Sequence, residues 1–106
     1  MNIDDTVVTG SAGGVRVRAA PSVAVNASIS RSMFKNNNGD DIRIDGTGGG
    51  AVTASIRDTE SSLNVGNGMI AVSGTGNVAV NITRSVFASN VASGVQSNST
   101  ITGVRP

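Results

Sequence analysis

Four charged residues lie within six positions near the middle of the chain, in the stretch NNNGDDIRID (36–45). Asp40 and Asp41 are adjacent, and Arg43 and Asp45 follow at alternate positions. Hydrolysis of a glycosidic bond needs two carboxylates at a defined separation, one of them held protonated. The stretch is therefore either a cluster of catalytic carboxylates or a turn between two strands, and the surrounding elements decide between them.

The same stretch is rich in the carboxylate and amide oxygens that bind hard cations, and it contains a glycine. Asp40, Asp41 and Asp45 are the candidate calcium ligands. Their spacing does not match the EF-hand loop, and the glycine-rich nonapeptide of calcium β-rolls occurs at most once. The expectation is that no cofactor is bound, with calcium as the alternative.

Composition narrows the function classes. The 106 residues suffice for one domain, and the absence of histidine removes the commonest general base and metal ligand. Cysteine is also absent, so there are no disulfides or thiolate metal sites. A net charge of +1 with scattered basic residues predicts no nucleic-acid partner. The lack of a long apolar run predicts no membrane span, and the start MNIDDTVV lacks the features of a signal peptide.

The chain contains an internal repeat. Three segments align, with offsets of 27 and 26 residues: VNASISRSMF (25–34), VTASIRDTES (52–61) and VAVNITRSVF (78–87). Apolar and polar residues alternate along each, and β-branched residues are abundant, which is typical of a strand buried on one face. A second strand follows in each unit, as IRIDGTG (42–48), IAVSGTG (70–76) and the weaker VQSNST (95–100), with GVRVRAA (14–20) one unit earlier.

The repeat predicts an all-β fold, a right-handed parallel β-helix of about four coils with a repeat of 26–27 residues. It forms a single domain whose coils span approximately 1–24, 25–51, 52–77 and 78–106. Asparagines at the bend, Asn37, Asn64 and Asn90, are expected to stack as a hydrogen-bonded ladder. In the third coil the aromatic position falls on Ser61, or on Leu63 after a register shift that would make Asn67 the bend asparagine.

Two further columns of equivalent residues are expected. Arg31, Asp58 and Arg84 occupy one position on successive coils, which places an aspartate between two arginines and favours a charge ladder that fixes register. Asp41 occupies the position of Gly68 and Gly94, and is the departure from the pattern. Ile42 and Ile44 are expected to point inward and Arg43 and Asp45 outward.

The chain resembles right-handed parallel β-helix repeat proteins with the pectin-lyase-like fold. The resemblance covers nearly the whole chain, and its features are VxVxIxxSxF, the asparagine three residues on, the G-[IV] that opens the next strand, the GTG corner and SNSTITG (97–103). Proteins of this kind are often bacterial, and secreted or on the cell surface. The motifs specify a fold much better than a function.

Within that fold, Gly39-Asp40-Asp41 is similar to the Asp-Asp core of polygalacturonases. The resemblance implies that Asp40 and Asp41 would be the acid and base and Arg43 a clamp for a substrate carboxylate. The family's Asn-Thr-Asp, Gly-His-Gly and Arg-Ile-Lys elements are missing here. An enzyme is accordingly not favoured.

The leading functional hypothesis is a non-catalytic structural scaffold that associates with copies of itself. A short solenoid exposes strand edges and apolar interior at its ends, so coil ends or strand edges are the expected contacts of a homo-oligomer. The alternative is a carbohydrate-binding or polysaccharide-degrading β-helix with an acidic site around Asp40 and Asp41.

Overall fold

The computed structural model describes residues 1–72, 74, 77–97 and 100–102, with the backbone alone described for the last three. The longest strands alternate Val, Ala or Ile with mostly polar residues, which suits a half-buried pleated surface. In chain order the strands are β1 Asn2–Asp4, β2 Val7–Thr9, β3 Val15–Arg18, β4 Val25–Ser30, β5 Met33–Lys35, β6 Ile42–Asp45, β7 Val52–Arg57, β8 Glu60–Ser62, β9 Met69–Val72, β10 Val78–Thr83, β11 Val86–Ala88, β12 Val95–Ser97 and β13 Thr100–Thr102. The described part of the chain is all-β, and it contains no helix that could cross a membrane.

The strands stack as three parallel sheets. The first sheet has the order β1-β4-β7-β10-β13, the second β2-β5-β8-β11, and the third β3-β6-β9-β12. Every third strand therefore pairs with its equivalent one coil away, as in the match of Val25 with Val52 and of Val52 with Val78. This arrangement is a β-solenoid of about four turns, and it confirms the predicted fold class.

Each coil has three strands where the sequence indicated two. The predicted first strand is interrupted after six residues by a residue with positive φ: Arg31 at 46°, Asp58 at 50° and Arg84 at 45°. A left-handed residue turns the chain sharply, so the last two residues of each predicted segment belong to a separate strand in the second sheet. The sequence did not signal this bend because none of the three positions holds glycine.

The core lies between the three sheets and consists of stacked columns. Ile29, Ile56 and Ile82 form one column, and each has at most 2% of its surface exposed. The aromatic position of the third coil is Ser61, because β8 pairs Ser61 with both Phe34 and Phe87. Leu63 is 49% exposed and lies outside the core, so the alternative register is not found.

Candidate functional site

Asp41 lies inside the solenoid at the bend between the second and third sheets. The register of β3, β6 and β9 makes Gly14, Asp41 and Gly68 equivalent. Asp41 is completely buried and accepts hydrogen bonds from three side chains. Asn37 Nδ2 donates to Oδ1 at 2.7 Å, Ser61 Oγ donates to Oδ2 at 2.6 Å, and Asn64 Nδ2 also donates to Oδ2.

The space for this carboxylate exists because the next coil lacks an aromatic ring. A Cβ at Gly14 would lie 2.8 Å from Phe34 Cδ1, and one at Gly68 would lie 3.1 Å from Phe87 Cδ1. Each phenylalanine thus leans over the glycine of the coil before it. Over Asp41 the following coil carries Ser61, which is small and donates a hydrogen bond. A glycine is therefore packed under a phenylalanine at two bends, and the larger Asp41 is packed under the smaller Ser61 at the bend between them.

Burial raises the pKa of Asp41 above its ordinary value, because removal from water disfavours the charged form. Hydrogen bonds from Ser61, Asn37 and Asn64 oppose this, and the charge of Asp40 adds to it. No arginine or lysine of the described residues forms an ion pair with Asp41. The carboxylate is enclosed, so a polymeric substrate outside the wall has no contact with it.

The three bend asparagines stack on successive coils. Asn37 Oδ1 accepts from the Ser11 amide at 2.9 Å, and Asn64 Oδ1 accepts from the Asn37 amide at 2.8 Å. Asn90 Oδ1 accepts from the Asn64 amide at 3.1 Å. Each side chain therefore satisfies a backbone donor of the coil before it, at a bend that no strand ladder covers.

Asp40 lies on the opposite side of the wall from Asp41. Its Oδ1 accepts from Asn67 N and Asn67 Nδ2, both at 2.8 Å, and its Oδ2 lies 3.7 Å from Arg43 Nη1. A shallow groove of about 390 Å³ passes these residues, lined by Gly13, Gly14, Val15, Arg16, Asp40 and Arg43. Asp40 lines this outer groove whereas Asp41 is completely buried, so the two carboxylates do not converge.

Asp45 lies on the outer side of the third sheet, yet its side chain is fully covered. Arg16 of the preceding coil forms an ion pair with it, and Arg43 Nε lies 3.5 Å from Oδ2. Thr47 donates its amide to Oδ1 at 2.8 Å and its hydroxyl to the same oxygen. Burial alone would raise the pKa of Asp45, but the hydrogen bonds from Thr47 and the Arg16 guanidinium outweigh it and hold the pKa well below its usual range.

The candidate calcium ligands are consequently held in three separate environments. Asp41 faces the interior, Asp40 faces the outer groove, and Asp45 is enclosed by Arg16 and Thr47. Among the residues that the structure describes, no three acidic side chains are grouped closely enough to hold a metal ion. The three carboxylates instead accept hydrogen bonds from neighbouring side chains, and Asp40 and Asp45 also form ion pairs with arginines.

The charge column lies at the bend between the first and second sheets. Arg84 forms a bidentate pair with Asp58, with Nε to Oδ1 at 2.8 Å and Nη2 to Oδ2 at 3.1 Å, and its hydrogen bond lowers the pKa of Asp58. Arg31 pairs with Asp4 of the preceding coil instead of with Asp58. Asp5 extends the column by one coil, with a φ of 52°.

Several residues of these arrangements were not identified from the sequence as site residues, among them Ser61, Asp4 and Asp5. Counting back 26 residues from Arg31 reaches Asp5, so the repeat itself could have found the start of the charge column. Asp41 takes the place of a glycine and Ser61 takes the place of a phenylalanine on the next coil, and both departures from the repeat are visible in the sequence. The repeat does not show that the two residues touch, because that contact depends on each phenylalanine packing over the preceding coil.

Comparisons of this chain with protein-family models, with curated proteins and with solved structures each gave no match. The site is therefore interpreted from its own geometry. That geometry consists of a sealed polar cluster inside, a covered ion-pair network on the third sheet, and an exposed charge column at the first bend.

Proposed function

We propose that this chain is a non-catalytic structural β-solenoid of the pectin-lyase-like type, which serves as a scaffold and associates with copies of itself. The observation that carries the proposal is the placement of Asp40 and Asp41 on opposite sides of the solenoid wall. A glycoside hydrolase needs two carboxyl groups that flank the glycosidic bond, and both must be open to the substrate. Here Asp41 is completely buried.

The polar groups of the wall are used to hold coils together. Asn37 and Asn64 bind the backbone of neighbouring coils, and Asp45 binds Arg16 across coils. Buried polar groups with such partners favour one register over others. A stack fixed in this way supports the role of a rigid spacer.

The test for catalysis uses polygalacturonate, alginate and neutral glucans as substrates. Reducing ends and absorbance at 235 nm report hydrolysis and β-elimination. A scaffold releases no product above a buffer blank at micromolar protein. Product release that disappears in Asp40→Asn and persists in the matched exposed variant Asp58→Asn would overturn the proposal.

The test for self-association is light scattering across a wide concentration range. A scaffold that associates shows a mass above that of the 10.5 kDa chain as concentration rises. A chain that stays monomeric at several hundred micromolar contradicts this part of the proposal and leaves the non-catalytic part standing.

The outer groove beside Asp40 supports a second candidate function, the binding of acidic oligosaccharides. Arg16 is 54% exposed and Arg43 35% exposed, and Gly13 and Gly14 present no side chains at the groove floor. Guanidinium groups bind carboxylates in bidentate fashion, which suits uronic acids. The ion pairs with Asp45 and Asp40 compete for both arginines, so only weak binding is expected.

Calorimetry with oligogalacturonate at low salt tests this second candidate. Binding should be lost in Arg43→Ala and retained in Arg57→Ala, whose side chain is exposed on the first sheet. The groove is excluded as a binding site if Arg43→Ala and Arg57→Ala give equal heats of binding. It is also excluded if the unmodified protein gives no heat of binding.

A further inference from the structure

The charge column at the first bend alternates in sign over four coils. Asp5, Arg31, Asp58 and Arg84 follow one another at one coil spacing, about 4.8 Å. All four have φ between 45° and 52°, so they leave the bend in the same backbone conformation. The arginine side chains are each 61% exposed, so the column faces solvent.

An apolar column runs beside the charges on the outer side of the second sheet. Val7, Met33, Glu60 and Val86 occupy equivalent positions, and the three apolar members are 66%, 36% and 55% exposed. A groove of about 460 Å³ lies between the two columns and touches all four coils. We call the charge column and the apolar column together the first-bend flank.

The order of charges along this flank is complementary to itself when the direction is reversed. In an antiparallel arrangement Asp5 lies opposite the partner's Arg84, and Arg31 lies opposite the partner's Asp58. The other two contacts follow by symmetry. A parallel, in-register arrangement places every charge opposite its own sign. Because both copies have the same coil spacing, the antiparallel match holds over the whole length.

We propose that two copies of this chain pair antiparallel through the first-bend flank, about a two-fold axis that lies between the second and third coils. Val7 of each copy then contacts the partner's Val86, and Met33 lies beside the stem of the partner's Glu60. The proposal deepens the self-association part of the proposed function and rests on it. It names a flank contact in place of coil ends.

Ion pairs within the chain hold three of the four charge-column residues and leave Asp5 for the partner. Arg84 holds Asp58 and Arg31 holds Asp4, whereas Asp5 forms no ion pair with any of the described residues. In the dimer the partner's Arg84 reaches Asp5 and completes the series. An acidic polymer suits this surface poorly, because Asp5, Asp58 and Glu60 would repel it.

The size of the flank sets the expected affinity. Four coils at about 4.8 Å give a length of roughly 19 Å, and a similar width gives roughly 400 Å² for each copy. The total of roughly 800 Å² is below the roughly 1,200 Å² of stable interfaces and corresponds to a weak, transient contact. A dimer with a dissociation constant in the micromolar range or weaker is expected, and added salt should weaken it further.

Sedimentation equilibrium on two complementary charge reversals tests the pairing. Arg31→Glu alone places two acids opposite each other, and Asp58→Arg alone places two arginines opposite each other. Each variant should dimerise at least tenfold more weakly than the unmodified protein. An equimolar mixture should recover dimers, because Arg31→Glu in one copy then faces Asp58→Arg in the other. Arg18→Glu, on the third sheet, is the control and should dimerise normally.

Two further variants keep the test valid if a charge reversal disturbs the fold. Val86→Lys should abolish dimerisation, and Val65→Lys should not, since the two valines are 55% and 54% exposed and only Val86 lies on the flank. Circular dichroism confirms folding in each case. A protein that associates with equal strength in all variants refutes the flank and retains end-to-end pairing. A protein that never associates refutes both the flank and the proposed self-association.

Discussion

The contact between Asp41 and Ser61 can be converted by mutation into the glycine–phenylalanine contact of the other two bends. Asp41→Gly together with Ser61→Phe would copy the pairs that Gly14 makes with Phe34 and Gly68 makes with Phe87. The double variant replaces a buried carboxylate with a buried ring. The ring repeats the packing of the two other bends and removes a carboxyl group whose charged form is disfavoured by burial.

The single variants are expected to be worse than the unmodified protein. Asp41→Gly leaves a cavity and removes the shared acceptor of three donors, which costs about 1–3 kcal/mol because each donor keeps one other acceptor. Ser61→Phe forces a ring against the carboxylate, and overpacking costs about 1–3 kcal/mol. In the double variant the ring fills the cavity and no longer meets a carboxylate, although Asn37 and Asn64 still lose one acceptor each. The buried phenylalanine contributes about 1.5–3 kcal/mol.

The expected coupling free energy between the two sites is about 2–3 kcal/mol in favour of the double variant. Urea unfolding at pH 7, followed by circular dichroism near 218 nm, measures it in the four proteins of the cycle. The double variant should unfold at or above the midpoint of the unmodified protein, and both singles below it. Additive effects of the two substitutions would refute the idea that each ring or hydroxyl packs on the preceding coil.

Three further predictions concern single residues. Burial raises the pKa of Asp41, so the unfolding free energy should fall as pH rises from 3.8 through the folded pKa, and Asp41→Asn should flatten this slope in urea titrations between pH 4 and 7. The folded state lowers the pKa of Asp45, so this residue stabilises the protein above pH 3.8 and the stabilisation is lost as pH falls further. Asp41→Asn should leave this loss of unfolding free energy at low pH unchanged. Leu63 has a φ of 58°, where its neighbour-coil equivalent is Asn36. Leu63→Asn should therefore raise the thermal midpoint by a few degrees, about 0.5–1 kcal/mol, and Val65→Asn should not; equal effects would contradict the backbone argument.

The solenoid could be predicted because parallel pairing makes equivalent residues into neighbours. The isoleucine columns and the asparagine positions are visible at offsets of 26 and 27 residues. The structure pairs the isoleucines in neighbouring strands and connects the asparagines by hydrogen bonds at the same offsets. The third strand of each coil was missed for a local reason. The bend at Arg31, Asp58 and Arg84 needs a left-handed backbone, and none of the three is glycine, the residue that usually indicates one.

The candidate site was harder to predict, because adjacent residues at a bend differ in environment. The pattern placed Asp41 in the glycine column, but only the packing of Ser61 shows that its side chain turns inward. Asp45 was assigned outward from alternation, and its enclosure depends on Arg16, which is 29 residues earlier in the chain. Contacts between coils determine which acids are accessible.

The inter-coil packing also restricts how such a chain can change in length. Removing the third coil alone would set Phe87 against Asp41, and removing the second alone would leave Ser61 above Gly14 with a void. Removing the second and third coils together would set Phe87 above Gly14, a combination that the molecule already uses. The second and third coils can therefore be removed or inserted only together, because the contact between Asp41 and Ser61 restricts which coils can be neighbours.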